Sequence, residues 1–170
     1  TTPRVEARLV AEVAGVPAGG GTISLALHQR MQPGWHTYWL NPGESGEPTA
    51  IVWALPQGFS ASEINWPHPE RIPFGELANY GYSEEVLLRV EVAVPAGLSP
   101  GQSVTFVADA TWLVCKDICI PEKATLDLTL PVVAGAPPVN GAWNATFAEA
   151  RAREPQPNAP FDGRFAATDA

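Results

Sequence analysis

Apolar and polar residues alternate along most of this chain with a period of two, the pattern of β-strands that pack one face against a core. The alternation predicts seven strands, separated by turns rich in glycine and proline: 5–11, 23–27, 35–40, 50–55, 86–94, 104–114 and 126–130. Short strands with no helix between them favour an all-β fold, an antiparallel β-sandwich. Its core is expected to hold apolar residues of three regular strands: Val90, Val92, Phe106, Ala108, Leu126 and Leu128.

Two segments interrupt this alternation. Residues 66–83 carry three prolines and several aromatic rings, which predicts a long structured loop, and such loops in compact domains often serve function. Alanine-rich spacing over residues 141–153 predicts one short C-terminal helix. We therefore expect a sandwich domain over residues 1–135. Residues 136–170 are expected to hold the helix and a linker or the start of a following domain.

The composition narrows the classes of function. The 170 residues carry a net charge of −8, and their ten lysines and arginines are scattered. Nucleic-acid binding requires a basic patch, so this class is excluded. No apolar run has the length of a membrane span, and the first residues show no apolar signal segment. This start fits a cytosolic protein or an exported one whose leader has been removed, and the wealth of proline, glycine and tryptophan favours export.

Two cysteines, Cys115 and Cys119, are the only ones in the chain, and they lie within the stretch WLVCKDICIPE. A zinc site would need further ligands, but the three histidines lie far upstream without ligand spacing. A copper site built from Met31, His36 and a cysteine is equally weakly supported. A disulfide that closes so short a loop removes little entropy from the unfolded chain, so it is a poor structural staple.

The position of the cysteines in the alternation favours a redox pair. Cys115 and Cys119 share the parity of the outward-facing polar residues of their strands, so both are expected on the solvent side. If residues 116–118 form a hairpin loop, the two cysteines are directly opposed and within disulfide range. An exposed bridge across a short loop is of the labile, redox-active kind. A hairpin clip that only stabilises the turn is the alternative.

A family resemblance rests on this stretch, residues 112–122, and on three others: WHTYW at 35–39, NPG at 41–43 and NYGY at 79–82. Together they resemble the periplasmic N-terminal domain of the DsbD/ScsB family of membrane thiol:disulfide interchange proteins. The likeness covers about residues 5–135. The short spacing of the cysteines is closer to the ScsB branch than to DsbD itself.

The resemblance implies an immunoglobulin-like sandwich with protein-disulfide reductase activity and no cofactor. Such a domain receives electrons from the transmembrane and thioredoxin-like domains of the same parent protein and passes them to periplasmic thioredoxin-fold client proteins. It is located in the periplasm as the soluble domain of an inner-membrane protein. By the same resemblance, Cys119 forms the mixed disulfide with the partner and Cys115 resolves it.

The family also has a cap loop whose aromatic ring shields the cysteines. Its place falls within residues 66–83, where Phe74 and Tyr80 are the candidates and Tyr82 supports them. Ordinary packing of these rings in a loop is the alternative.

Three charged residues near the cysteines are candidates for tuning the thiolate. Lys116 would favour the charged form, whereas Asp117 and Glu122 would oppose it. Glu122 is also interpretable as an ordinary solvated residue of its strand.

A second function remains open. In this alternative, the chain is a non-enzymatic periplasmic binding module. Its six tryptophans form a ligand platform, and the disulfide only stabilises the hairpin.

Overall fold

The computed structural model describes residues 2–74 and 77–155, and these residues form strands and one helix. The strands are β1 (Val5–Ala11), β2 (Val16–Pro17), β3 (Gly21–Met31), β4 (His36–Gly43), β5 (Ala50–Ala54), β6 (Ser60–Ala61), β7 (Glu70–Phe74), β8 (Leu77–Ser83), β9 (Glu85–Val94), β10 (Ser103–Cys115) and β11 (Cys119–Val133). The helix is α1 (Asn144–Ala152).

Two sheets pack face to face. One has the strand order β1-β3-β9-β6, and the other has the order β2-β11-β10-β4-β8-β7, with β5 also paired to β10. All pairings are antiparallel except that of β2, which runs parallel to β11 over two residues. The predicted all-β, immunoglobulin-like sandwich with one short C-terminal helix is confirmed.

The core lies between the sheets, as the alternation predicted. Val90, Val92, Phe106 and Ala108 are almost completely buried, and Leu126 and Leu128 pack half-buried against them. Side chains in a strand alternate between its two faces, so burying one face fixes which residues point inward.

The expectation of a long loop over residues 66–83 is wrong, because most of this segment is a β-hairpin. Strand β7 pairs antiparallel with β8, and β8 in turn pairs with β4. Pro73 does not disturb this arrangement, since β7 is an edge strand and one side of its backbone needs no partner.

Helix α1 packs on the outer face of the first sheet. Phe147 is completely buried there, in a cluster with Val10, Ala26 and Leu87. Just beyond the helix, Glu154 forms an ion pair with the buried Arg89 at 2.7 Å. Burial lowers the pKa of Arg89, but the carboxylates of Glu154 and Glu91 outweigh it and raise the pKa overall.

The structure describes only part of the segment that was expected to follow the sandwich domain. Residues 157–170, expected to form a linker or the start of a following domain, lie outside the described residues, which end at 155. Within the part of the chain that the structure describes, no helix has the length and apolar character needed to cross a membrane.

The packing of α1 predicts that the helix stabilises the whole sandwich. Phe147→Ala is expected to lower the free energy of unfolding by about 3–5 kcal/mol, because it leaves a cavity under the helix. Val139→Ala, at a residue that is 62% exposed, is the control and should change the free energy by less than about 0.5 kcal/mol. Urea unfolding measures both, and equal stability of the two variants would contradict this packing.

Candidate functional site

The two cysteines close the hairpin that joins β10 to β11. Cys115 is the last residue of β10, Cys119 is the first of β11, and they are directly opposed in the register. Their Cα atoms lie 4.1 Å apart and a disulfide joins them. Within the three-residue loop, the Lys116 N–H donates to the Ile118 carbonyl at 3.2 Å. The predicted opposition of the cysteines is confirmed.

The two sulfur-bearing residues differ sharply in exposure. Cys119 is exposed, whereas Cys115 is completely buried, so the expectation that both face solvent is wrong for Cys115. The reason is β4, which runs along the free side of β10 and pairs His36 with Cys115. A reagent from outside therefore meets Cys119 first.

Tyr38 of β4 contacts the disulfide, a contact that the sequence pattern did not predict. Its hydroxyl lies 3.6 Å from Cys119 Sγ, and because a disulfide sulfur carries no proton, the Tyr38 O–H is the donor. His36 Nε2 lies 3.4 Å from the same hydroxyl oxygen, and the two rings meet edge to face. The only sequence feature that pointed to Tyr38 was the aromatic strand predicted over residues 35–40.

Burial shifts the pKa of both rings. The pKa of His36 is lowered by burial, so the imidazole is neutral at pH 7. Burial raises the pKa of Tyr38, and hydrogen bonding with Ser45 and Asn79 opposes this in part. Tyr38 therefore stays protonated at neutral pH and presents a hydrogen-bond donor to the exposed sulfur.

A short segment, residues 43–46, crosses the ring of Tyr38; we call it the strap. Gly43 has φ 89° and Gly46 has φ 102°, backbone conformations that favour glycine. A Cβ atom at Gly46 would overlap the Tyr38 ring. The Glu44 carboxylate accepts the Ala78 N–H at 2.6 Å, so the strap is tied to β8.

The three residues proposed to tune the thiolate have different surroundings. Lys116 lies over Gly34, where a Cβ atom would be 3.3 Å from Nζ, and Asp117 is exposed in the loop. Glu122 stands opposite Trp112, three register pairs from the cysteines, about 10 Å along the strand. Its carboxylate accepts from Arg4 Nη1 at 3.1 Å and from the hydroxyl of Thr2. Glu122 is therefore part of an ion pair and lies remote from the sulfurs.

The cap residues also differ in their placement. Tyr82 is 1% exposed in the core, and its hydroxyl donates to the Pro67 carbonyl at 2.7 Å. This burial, which raises its pKa, makes Tyr82 a core residue and not an exposed shield. Tyr80 is 37% exposed and lies beside Gly43 of the strap. Phe74 ends β7, and its side chain lies outside the described part of the chain.

Metal ligands do not gather at the site. Among the side chains that the structure describes, no three histidine, cysteine, aspartate or glutamate residues lie close enough to hold a metal ion.

Taken together, the fold and the site define an immunoglobulin-like sandwich that carries a hairpin disulfide between one exposed and one buried cysteine. The chain matches the family model described as "Thiol:disulfide interchange protein DsbD, N-terminal" over residues 6–131. It belongs to this family, and the family together with the cysteine pair supports thiol–disulfide exchange. No curated protein matches the chain.

Solved structures similar to the chain include two N-terminal domains. The N-terminal periplasmic domain of ScsB from Proteus mirabilis has 24% identity and a TM-score of 0.65, over 91% of this chain and 57% of that one. The DsbD N-terminal domain of Neisseria meningitidis in the reduced form has 14% identity and a TM-score of 0.33, over 78% and 89%. The chain thus spans little more than half the length of the ScsB domain.

The short loop predicts that the fold survives reduction. In the chain-entropy description, a disulfide closing five residues contributes about 2 kcal/mol. Mild reduction should therefore lower the melting temperature by a few degrees and leave the far-ultraviolet circular dichroism unchanged. Loss of the β-sheet signal at room temperature on reduction would instead indicate a structural clip.

Proposed function

We propose that this chain is a protein-disulfide reductase domain of the periplasm. It relays electrons from the membrane-embedded and thioredoxin-like domains of its parent protein to thioredoxin-fold client proteins. The observation that carries the proposal is the asymmetry of the disulfide: Cys119 is exposed while Cys115 is buried directly behind it. Exchange proceeds through a mixed disulfide, which needs one accessible sulfur and one resolving thiol nearby.

The reaction transfers two electrons. In the reduced domain, the Cys119 thiolate attacks one sulfur of the client disulfide, and the other client sulfur leaves as a thiolate. The Cys115 thiolate then attacks Cys119 Sγ, which restores the internal disulfide and releases the client's second cysteine. The hairpin register keeps Cys115 next to Cys119 throughout. A dithiol of the thioredoxin-like domain reverses these steps and reduces the pair again.

The tryptophans favour this reading over a binding module. Trp112 is buried, and the other five pack against the hydrophobic clusters: Trp35, Trp39, Trp53, Trp66 and Trp143. A ligand platform needs exposed ring faces gathered on one surface. These rings instead pack against the hydrophobic core.

The different roles proposed for the two cysteines predict opposite results when each is replaced by alanine. With an oxidised thioredoxin-fold protein as the probe, Cys115→Ala should accumulate a mixed disulfide, because the resolving thiol is gone. Cys119→Ala should form almost none, since its remaining thiol is buried. Non-reducing electrophoresis and mass spectrometry of the adduct measure both, and linkage through Cys115 would overturn the assignment.

A further inference from the structure

One buried side chain fastens the strap to β8. Asn79 is completely buried, and its Oδ1 accepts hydrogen bonds from both the backbone N–H and the hydroxyl of Ser45 at 3.1 Å. Its Nδ2 donates to Ser45 Oγ at 2.9 Å. A buried amide whose hydrogen bonds are made in this way fixes the position of the segment it binds.

The fastened strap determines where Tyr38 can lie. The backbone at Gly46 contacts one side of the Tyr38 ring, including the carbon that carries the hydroxyl. Ser45, which Asn79 holds, is the residue directly before Gly46. That hydroxyl also reaches Cys119 Sγ. The strap that Asn79 fastens to β8 therefore packs against the ring whose hydroxyl contacts the exposed Cys119.

We propose that Asn79 and Ser45 are positioning residues that hold the Tyr38 hydroxyl against Cys119 and so stabilise the Cys119 thiolate during disulfide exchange. The proposal rests on the proposed function. Tyr38 keeps its proton and only donates a hydrogen bond. The electron pair of the breaking or forming bond stays on Cys119 Sγ, which is a thiolate both as nucleophile and as leaving group. Hydrogen bonds to a charged acceptor are stronger than those to a neutral one, so this contact strengthens when the disulfide opens.

The thiolate of Cys119 reports directly on this contact. In the 170-residue chain carrying Cys115→Ala, Cys119 is the only thiol, and its ultraviolet thiolate absorbance can be followed against pH. Removing the donor with Tyr38→Phe should leave about tenfold less thiolate at neutral pH, the size expected for a hydrogen bond to a charged group. Asn79→Ala and Ser45→Ala should shift the absorbance in the same direction by about threefold or more.

The ionisable neighbours are the same in all these variants, so the differences report the hydroxyl. These neighbours lie on β4, in the hairpin loop, and in or directly after the strap: His36, Lys116, Asp117, Glu44 and Glu47.

A double-mutant comparison separates positioning from general destabilisation. In the Tyr38→Phe background, Asn79→Ala and Ser45→Ala should leave the thiolate fraction unchanged, because the group they position is absent. Asn140→Ala is the matched control, since Asn140 Nδ2 donates to the Ala11 carbonyl at 3.1 Å, far from the site. It should lower the melting temperature without changing the thiolate fraction.

Two results would overturn the proposal. The first is a lower melting temperature in the Asn79 and Ser45 variants with an unchanged thiolate fraction. The second is an equal shift with and without Tyr38. If Asn79→Ala does not fold, Ser45→Ala decides alone, since it removes only a half-buried hydroxyl. Trapping of a partner by Cys115→Ala is a separate readout. If Cys115→Ala traps a partner but Tyr38→Phe leaves the thiolate fraction unchanged, the proposed exchange function stands and the positioning role of Asn79 and Ser45 is wrong.

Discussion

The antiparallel ladder between β10 and β11 sets the geometry on which the site depends. It continues in register from Ser103 opposite Pro131 to Cys115 opposite Cys119. The backbone ladder therefore places the two cysteines side by side. Directly below them, Val114 and Trp112 are buried in the core, which anchors the hairpin to the sandwich. Because the alignment is provided by the sheet and not by the disulfide, opening the bond requires little rearrangement of the fold.

Strand β4 makes the surroundings of the two cysteines different. It covers Cys115 through His36 and places the Tyr38 hydroxyl against Cys119. Cys115 is thereby buried, and Cys119 is exposed beside a hydrogen-bond donor. The strap and Asn79 hold that donor in place from the far side. The proposed attack at a single sulfur rests on this strand packing and invokes no strongly charged neighbour.

The parts of this structure that follow from local periodicity could be predicted from the sequence. Burial of one sheet face imposes the alternation at Val90, Val92 and Phe106, and the three-residue loop brings Cys115 opposite Cys119. Burial of Cys115 could not be predicted, because it depends on the approach of β4 from about eighty residues away in the chain. The β7–β8 hairpin was missed because proline, a usual breaker of strands, is tolerated at a sheet edge. Tyr38 was one ring among several in its strand, and only tertiary packing selects it.

If the Cys115–Cys119 bond is a reversible redox centre, it must open and close while the domain stays folded. Equilibration of the chain with thiol buffers of graded potential, with the reduced fraction measured by alkylation and mass spectrometry, tests it most directly. A reversible centre gives a complete two-electron transition, the same from either direction, while the circular dichroism remains that of the native β-sandwich. A pair that stays oxidised throughout this range and is reduced only after the domain unfolds would contradict it.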